Sequence, residues 1–275
     1  MDKLVIQMEG DDFVFRLRDA KHIGVCWNDK KVLVTGVGHS GTNLLLEIVR
    51  ASESYNVVLS QEDRFFSAAI TMLFMYNYGA KLACDSPTFS TEAFVINMTK
   101  FPSLQVLVVI RNPIDAALSG AYRGLPLDQG GDSLYELDPI YTYDESHARM
   151  IINNWQNDYA PKIYGIINKY GPEGRAMLFK MEDIITQPKV VATDIASWLA
   201  IPYNDNMATP WKFNTHREQK KRYAGKLDTS QIDNYKRWDT IYDGFYADKK
   251  EFVYTLSEGL KPVATLFDYE TELPE

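Results

Sequence analysis

Lys31-Val32-Leu33-Val34-Thr35-Gly36-Val37-Gly38-His39-Ser40-Gly41-Thr42-Asn43-Leu44-Leu45-Leu46 decides how the rest of the chain is read. Residues 31–35 form an apolar run that predicts a buried strand, and Leu44-Leu45-Leu46 with Ile48-Val49 predicts a helix. The glycines between them let the backbone curl so that successive N–H groups point inward. The start of the helix adds the positive end of its dipole, so the turn is an anion site. Gly36 and Gly41 have the spacing of the nucleotide-triphosphatase loop G-x-x-x-x-G-K-[ST]. Thr42, however, stands where the lysine belongs, and Asn43 where the magnesium-binding hydroxyl belongs. The loop can hold a phosphate, yet the parts for magnesium-nucleotide chemistry are missing from their expected places.

Further along, Leu104-Gln105-Val106-Leu107-Val108-Val109-Ile110 is the strongest buried-strand signal. It leads into Arg111-Asn112-Pro113, where Asn112 can cap a helix and Pro113 takes its first position. That helix is expected to reach about Arg123. Arg111 also occupies the strand end where many magnesium-nucleotide enzymes carry a metal-holding Asp. Strands are further expected at 56–59 and 175–180, and helices near 62–78, 146–169, 181–186, 189–199, 229–242 and 247–260. Residues 1–30 form a preamble of short strands, Leu4–Ile6, Phe13–Phe15 and Ile23–Val25, and the polar segment 124–145 is expected to be a lid or loop. Strands alternating with helices predict a parallel sheet covered on both faces, a three-layer α/β/α arrangement. No repeat, low-complexity tract or boundary is evident, so residues 1–275 are expected to form one domain.

Hydrophobic residues make up 45% of the 275, enough for a sizeable core. The formal net charge of −8 is wrong for a protein that neutralises the phosphates of a duplex, so no nucleic acid is expected as a partner. The same sign disfavours a polyanionic polysaccharide. Cys26 and Cys84 form no C-x-x-C and no zinc spacing, which fits a reduced cytoplasmic setting and predicts no metal. Met1–Phe15 carries Asp2, Glu9, Asp11 and Asp12 rather than a basic region and an apolar core, so no signal peptide is expected. No apolar run approaches the roughly eighteen residues that a membrane span needs.

Arg111 and Ser119 are eight positions apart, a little over two helical turns, so Ser119 returns to the face nearest the strand end. There Arg111 can fork two hydrogen bonds to a phosphate and Ser119 adds a hydroxyl. An ordinary strand–helix junction would account for that pair by itself. Following Gly38-His39-Ser40-Gly41-Thr42-Asn43 in this order, the two segments resemble those of sulfotransferases that use 3′-phosphoadenosine 5′-phosphosulfate (PAPS). That family has a P-loop NTPase-like sulfotransferase fold without the Walker lysine or the metal. The resemblance implies metal-independent transfer of a sulfuryl group from PAPS to a hydroxyl or amino group of a small-molecule acceptor, leaving 3′-phosphoadenosine 5′-phosphate (PAP). It implies Gly38, His39, Ser40, Gly41, Thr42 and Asn43 at the 5′-phosphosulfate, and Arg111 and Ser119 at the 3′-phosphate. His39 falls where the family has its catalytic lysine or arginine. Two further stretches agree. Met177–Ile185, before Thr186-Gln187-Pro188, resembles the family's strand–Glu-Asp-Leu–Pro segment, in which Glu182 is structural. Lys221–Leu227 resembles the basic loop that closes over the 3′-phosphate and adenine, which adds Arg222, Tyr223, Gly225 and Lys226 to the donor-binding set.

The base for the acceptor's proton stays open. Glu62, in Ser60-Gln61-Glu62-Asp63-Arg64-Phe65-Phe66, matches by spacing a glutamate that precedes an aromatic pair in carbohydrate-modifying members, and Asp63 beside it is an alternative. Cys84-Asp85-Ser86-Pro87-Thr88-Phe89 resembles the Glu-Lys-Ser-Pro-x-Tyr segment of the same enzymes, which makes Asp85 a second candidate. His22, His147 and His216 have no motif around them and are expected to be surface or structural. Between Gly124 and Ser146 lie Asp128, Asp132, Glu136, Asp138, Asp144 and Glu145, interleaved with Tyr135, Tyr141 and Tyr143 and without a Lys or Arg. This is either a solvated acidic loop or a lid that offers carboxylates and tyrosine faces to a cationic acceptor. Two other functions compete: a P-loop small-molecule or nucleotide kinase, which needs the missing lysine and magnesium site, and a non-catalytic nucleotide-binding protein, which His39 and the replacement at Asp85 motivate.

Overall fold

Along β3 (Lys31–Gly36) and β6 (Leu104–Ile110) successive side chains point to opposite faces of a sheet, and both faces are dry. The computed structural model that shows this describes residues 4–9, 12–17, 31–54, 57–59, 82–86, 103–123, 143–210 and 246–269. Val32, Val34, Leu107 and Val109 pack with helix α1 (Thr42–Ala51) and helix α6 (Pro188–Leu199) on one face. Leu33, Val106, Val108 and Ile110 pack on the other. The helices there are α2 (Pro113–Arg123), α3 (Glu145–Asn154), α4 (Ala160–Tyr170) and α7 (Lys250–Leu266). These are the three expected layers. Each fully buried Val, Leu or Ile contributes roughly 1.5–3 kcal/mol.

With β4 (Val57–Leu59), β5 (Leu82–Ser86) and β7 (Ala176–Lys180), the sheet has the order β4-β5-β3-β6-β7, every pair parallel. The chain leaves β3 toward β4 and β5, then crosses to β6 on the other side. The carboxyl ends of β3 and β6 therefore flank the point where strand order reverses, which is where open α/β sheets bind ligands. The N-terminal preamble is a separate antiparallel pair, β1 (Leu4–Glu9) with β2 (Asp12–Leu17). Ile23–Val25 and the helices expected at 62–78 and 229–242 lie outside the described residues. Among the described residues no helix is long and apolar enough to cross a membrane.

Three expectations need correction. Of the segment 124–145, expected to be a lid or loop, only residues 143–145 are described, and they are anchored: the Tyr143 hydroxyl donates to the Ala121 carbonyl at 2.7 Å and its ring meets Phe252 edge-on at 5.3 Å. Asp144 caps α3 by accepting from His147 N at 2.9 Å, and Glu145 starts that helix and pairs with Arg149. The helix expected over 146–169 is interrupted by one π turn, Trp155–Tyr159, in which Ala160 N donates to Trp155 O. Pro161 follows; without an N–H it cannot continue a regular ladder. The last helix runs on past 260 to Leu266, through Gly259 and Pro262. Gly259 lets α7 cross α3 closely, because a Cβ there would sit 2.3 Å from Ile152 Cδ1.

His147 is structural, buried at 5% exposure between Tyr143 and Phe252. Burial lowers its pKa below the ordinary 6.5, against the opposing pull of Asp144. As pH falls through 6.5 the unfolded chain takes up this proton before the folded one does, so stability declines on the acid side. His147→Phe is expected to flatten the slope of unfolding free energy between about pH 5 and 7, measured by urea titration at several pH values.

Gly36 and Gly259 make a second comparison. At Gly36 a Cβ would lie 2.4 Å from the Val109 carbonyl oxygen, which is backbone, whereas at Gly259 the obstacle is the far end of a flexible side chain. Gly36→Ala is expected to cost about 3 kcal/mol or more and Gly259→Ala about 1 kcal/mol, read from denaturant midpoints.

Candidate active site

The turn between β3 and α1 is built on two left-handed residues, His39 at φ 66° and Gly41 at φ 90°. Ser40 N donates to Val37 O at 3.1 Å, closing the turn. The helical ladder then begins with Leu45 N donating to Gly41 O at 3.0 Å, so it does not use the amides of the first turn. Gly41 caps the helix without a side chain, and no acidic residue sits in that first turn. Ser40 is fully buried, and its Oγ has no hydrogen-bond partner among the described residues. An anion in the turn would satisfy that hydroxyl, and it would meet roughly half a positive charge from the helix end.

The neighbouring strand end carries the second set. Asn112 caps α2 as expected: its Oδ1 accepts from Ile114 N at 3.0 Å and its carbonyl from Ala116 N at 2.9 Å. Arg111 and Ser119 are both buried, at 4% and 3% exposure. A buried guanidinium is costly unless anions surround it. Glu182, at the start of α5 (Met181–Thr186), supplies one such charge. Its Oε1 accepts from Asn112 N at 2.8 Å and its Oε2 from the Tyr269 hydroxyl at 2.9 Å. Burial raises the Glu182 pKa above 4.5, while these two donors and Arg111 hold it down. Residue 182 is thus structural, as the resemblance implies.

Two more contacts join the sets. Met181 lies over the turn, since a Cβ at Gly41 would be 3.1 Å from its Cγ. The His39 ring, exposed toward solvent, lies against α2, since a Cβ at Gly120 would be 3.3 Å from its Cδ2. His39 therefore neighbours the helical turn that carries Ser119. Nothing in the sequence singles out Met181, Gly120 or Tyr269. The helix-capping signal at Asn112 and the resemblance of Met177–Ile185 point to the two sides of the junction that Glu182 serves, but not to their contact.

Of the remaining expected residues, Asp85 is placed by its backbone near the carboxyl end of β5, in register with Val34 and one residue before the pair Ser86–Thr35. That puts it one strand away from the β3–α1 turn. Glu62, Asp63, Arg222, Tyr223, Gly225 and Lys226 lie outside the described residues.

Residues 29–255 match the sulfotransferase domain family. No curated protein matches the chain. Among solved structures it is similar to a mouse sulfotransferase, SULT7A1, complexed with PAP, at 14% identity and a TM-score of 0.56, covering 96% of this chain and 99% of that one. A sulfotransferase domain from the curacin biosynthetic pathway aligns at 15% identity and a TM-score of 0.49, over 90% of this chain and 99% of that one. Retinol dehydratase in complex with retinol and PAP aligns at 13% identity and 0.47, over 89% of this chain and 83% of that one. The family match spans most of the sequence, the mouse enzyme has the same fold, and the chain belongs to the sulfotransferase domain family, enzymes that transfer a sulfuryl group from PAPS.

Proposed function

We propose that Gly38–Asn43 hold the 5′-phosphosulfate of PAPS, that Arg111 and Ser119 hold its 3′-phosphate, and that His39 serves the oxygen that bridges phosphorus and sulfur in the donor. One observation carries this reading. Two anion-seeking sets, the β3–α1 turn with the Ser40 hydroxyl and the β6–α2 junction with buried Arg111, leave hydrogen-bonded neighbouring strands at the same rim. The donor supplies the sulfuryl group. The chain's share is to bind and orient it with backbone amides, a guanidinium and hydroxyls, and to manage two protons. The acceptor O–H or N–H gives its proton to a base, with Glu62 and Asp85 the candidates, as the new bond to sulfur forms. His39 holds a proton for the oxygen that leaves sulfur with the bonding pair, which is where charge develops.

The acceptor belongs to the same proposal: a small molecule bearing a hydroxyl or amino group. The idea that it is cationic now rests on Asp128, Asp132, Glu136 and Asp138, because Asp144 caps a helix and Glu145 pairs with Arg149. Neutralising those four, and leaving 144 and 145 intact, is the variant suited to that idea. A single domain over 1–275, closure of Arg222, Tyr223, Gly225 and Lys226 over the nucleotide, and a reduced cytoplasmic setting complete the reading.

Arg111→Ala is expected to weaken PAP about 100-fold, the worth of two charge-assisted hydrogen bonds, in calorimetric titration. Adenosine 5′-phosphosulfate, which lacks the 3′-phosphate, should change by no more than about 3-fold; equal losses would assign Arg111 a structural role only.

His39→Ala is expected to lower turnover about 100-fold or more while leaving PAP affinity nearly unchanged. Only the imidazolium can hand a proton to the leaving oxygen, so activity should fall as rising pH leaves the ring neutral. His39→Lys should keep much of the turnover and extend it to higher pH. A fully active His39→Ala enzyme would remove this residue from the chemistry.

A further inference from the structure

Three consecutive residues at the end of β6 are held by two side chains from distant parts of the chain. The Ile110 carbonyl lies 3.3 Å from the Tyr269 hydroxyl, whose one proton it shares with a second acceptor. Arg111 is attracted to the Glu182 carboxylate. The Asn112 N–H donates to Glu182 Oε1 at 2.8 Å, and the same Tyr269 hydroxyl reaches Glu182 Oε2 at 2.9 Å. Asn112 is the cap of α2, so Glu182 does from another element what the glutamate of a capping box does within its own helix. It takes the backbone N–H that the cap residue cannot satisfy. Tyr269 is itself held. Its N–H donates to Ala264 O at 3.0 Å, and Lys180 Nζ sits 4.5 Å over its ring while donating to the Asp268 carbonyl at 2.8 Å. Tyr269 lies beyond residue 255, where the family match ends.

We infer that Glu182 and Tyr269 are positioning residues for the donor's 3′-phosphate, a buried strut that fixes where Arg111 leaves β6 and where α2 begins. The inference rests on the proposed role of Arg111. A guanidinium gains its second hydrogen bond to a phosphate only when its fork is correctly placed, and misplacement by about 1 Å forfeits much of that advantage. Without the strut, the Ile110 carbonyl and Asn112 N–H at this junction lose the partners described here, and Arg111 loses the carboxylate that offsets its burial. The strut also ties both phosphate sets together, because Met181, the residue before Glu182, packs on Gly41 of the first turn.

The test uses the full chain and two probes, PAP and adenosine 5′-phosphosulfate, titrated calorimetrically into wild type, Arg111→Ala, Tyr269→Phe, Glu182→Ala and Glu182→Gln. Tyr269→Phe is expected to weaken PAP about 5-fold and Glu182→Ala about 30-fold, each leaving adenosine 5′-phosphosulfate within about 2-fold. Glu182→Gln keeps an acceptor for the Asn112 N–H and a polar partner for the Tyr269 hydroxyl, so it should bring PAP back to within about 3-fold of wild type. Equal weakening of both probes by Tyr269→Phe and Glu182→Ala, or no weakening by either, overturns the strut. If Arg111→Ala itself fails to separate the probes, the 3′-phosphate assignment falls first and the strut with it. If Glu182→Ala does not fold, Tyr269→Phe decides on the same two titrations, since it removes one hydroxyl at the edge of the junction.

Discussion

The approach of Gly36 to the Val109 carbonyl sets the geometry on which everything else at the rim depends. The two residues are register partners across the parallel β3–β6 pair, and a side chain at 36 would collide with backbone at 2.4 Å. A glycine there keeps β3 on β6 up to the last residue before the chain turns. The β3–α1 turn and the Arg111–Asn112 junction therefore leave adjacent strands at one level. β7 is the next strand on the same side, so its own exit, Met181–Glu182, arrives beside both. Three consecutive strand ends in spatial order β3-β6-β7 bring the turn, the guanidinium and the carboxylate that balances it to one rim of the sheet.

Such a rim is expensive to fold. Ser40, Arg111, Ser119 and Glu182 are taken largely out of water, and a buried ion costs several kcal/mol even after relaxation. The sheet beneath supplies the compensation. Val32, Val34, Val106, Leu107, Val108, Val109 and Ile110 are completely buried, packed on both faces by helices that the same strands lead into. Rigidity follows from the same cause. A side chain whose backbone is anchored in a two-sided core cannot relax toward solvent to recover lost hydration. The polar atoms at its tip must find partners in place, among the protein's own groups or in a bound anion.

How much of this could be read from sequence divides along a physical line. The strand–turn–helix at 31–51 and the strand at 104–110 were legible because burial on both faces demands unbroken apolar runs, and because Gly36, Gly41, Asn112 and Pro113 have conformational requirements that few residues meet. Expectation failed where one local signal competed with another or where tertiary contact overrode it. The last helix is expected to stop near 260, yet α7 passes through Gly259 and Pro262 to Leu266, since its apolar face is buried against α3 and Gly259 is what permits the crossing. Tyr143, Asp144 and Glu145 read as part of an acidic loop, yet the first is fixed by a carbonyl on α2 and the other two by helix α3. Tyr269 carried no signal at all. Its role comes from a contact across the fold to Ile110 and Glu182, and no periodicity or spacing encodes such a pairing.

The substitution of histidine for the family's lysine or arginine can be understood in the same terms. Position 39 has φ 66°, a left-handed conformation that costs an ordinary residue about 1–2 kcal/mol and that histidine adopts several-fold more often than most. A lysine there would carry a long stem with more torsions to order. The imidazole has only two side-chain torsions and lies flat enough to pack on α2, where Gly120 leaves the room: any Cβ at that position would crowd its Cδ2 at 3.3 Å. Histidine at 39 and glycine at 120 thus form a matched pair, a short rigid ring held against the helix that presents Ser119. What such a ring gives up is a charge that persists at every working pH. What it gains is a short side chain lying against α2 beside the turn that carries Ser119, with few torsions left to order.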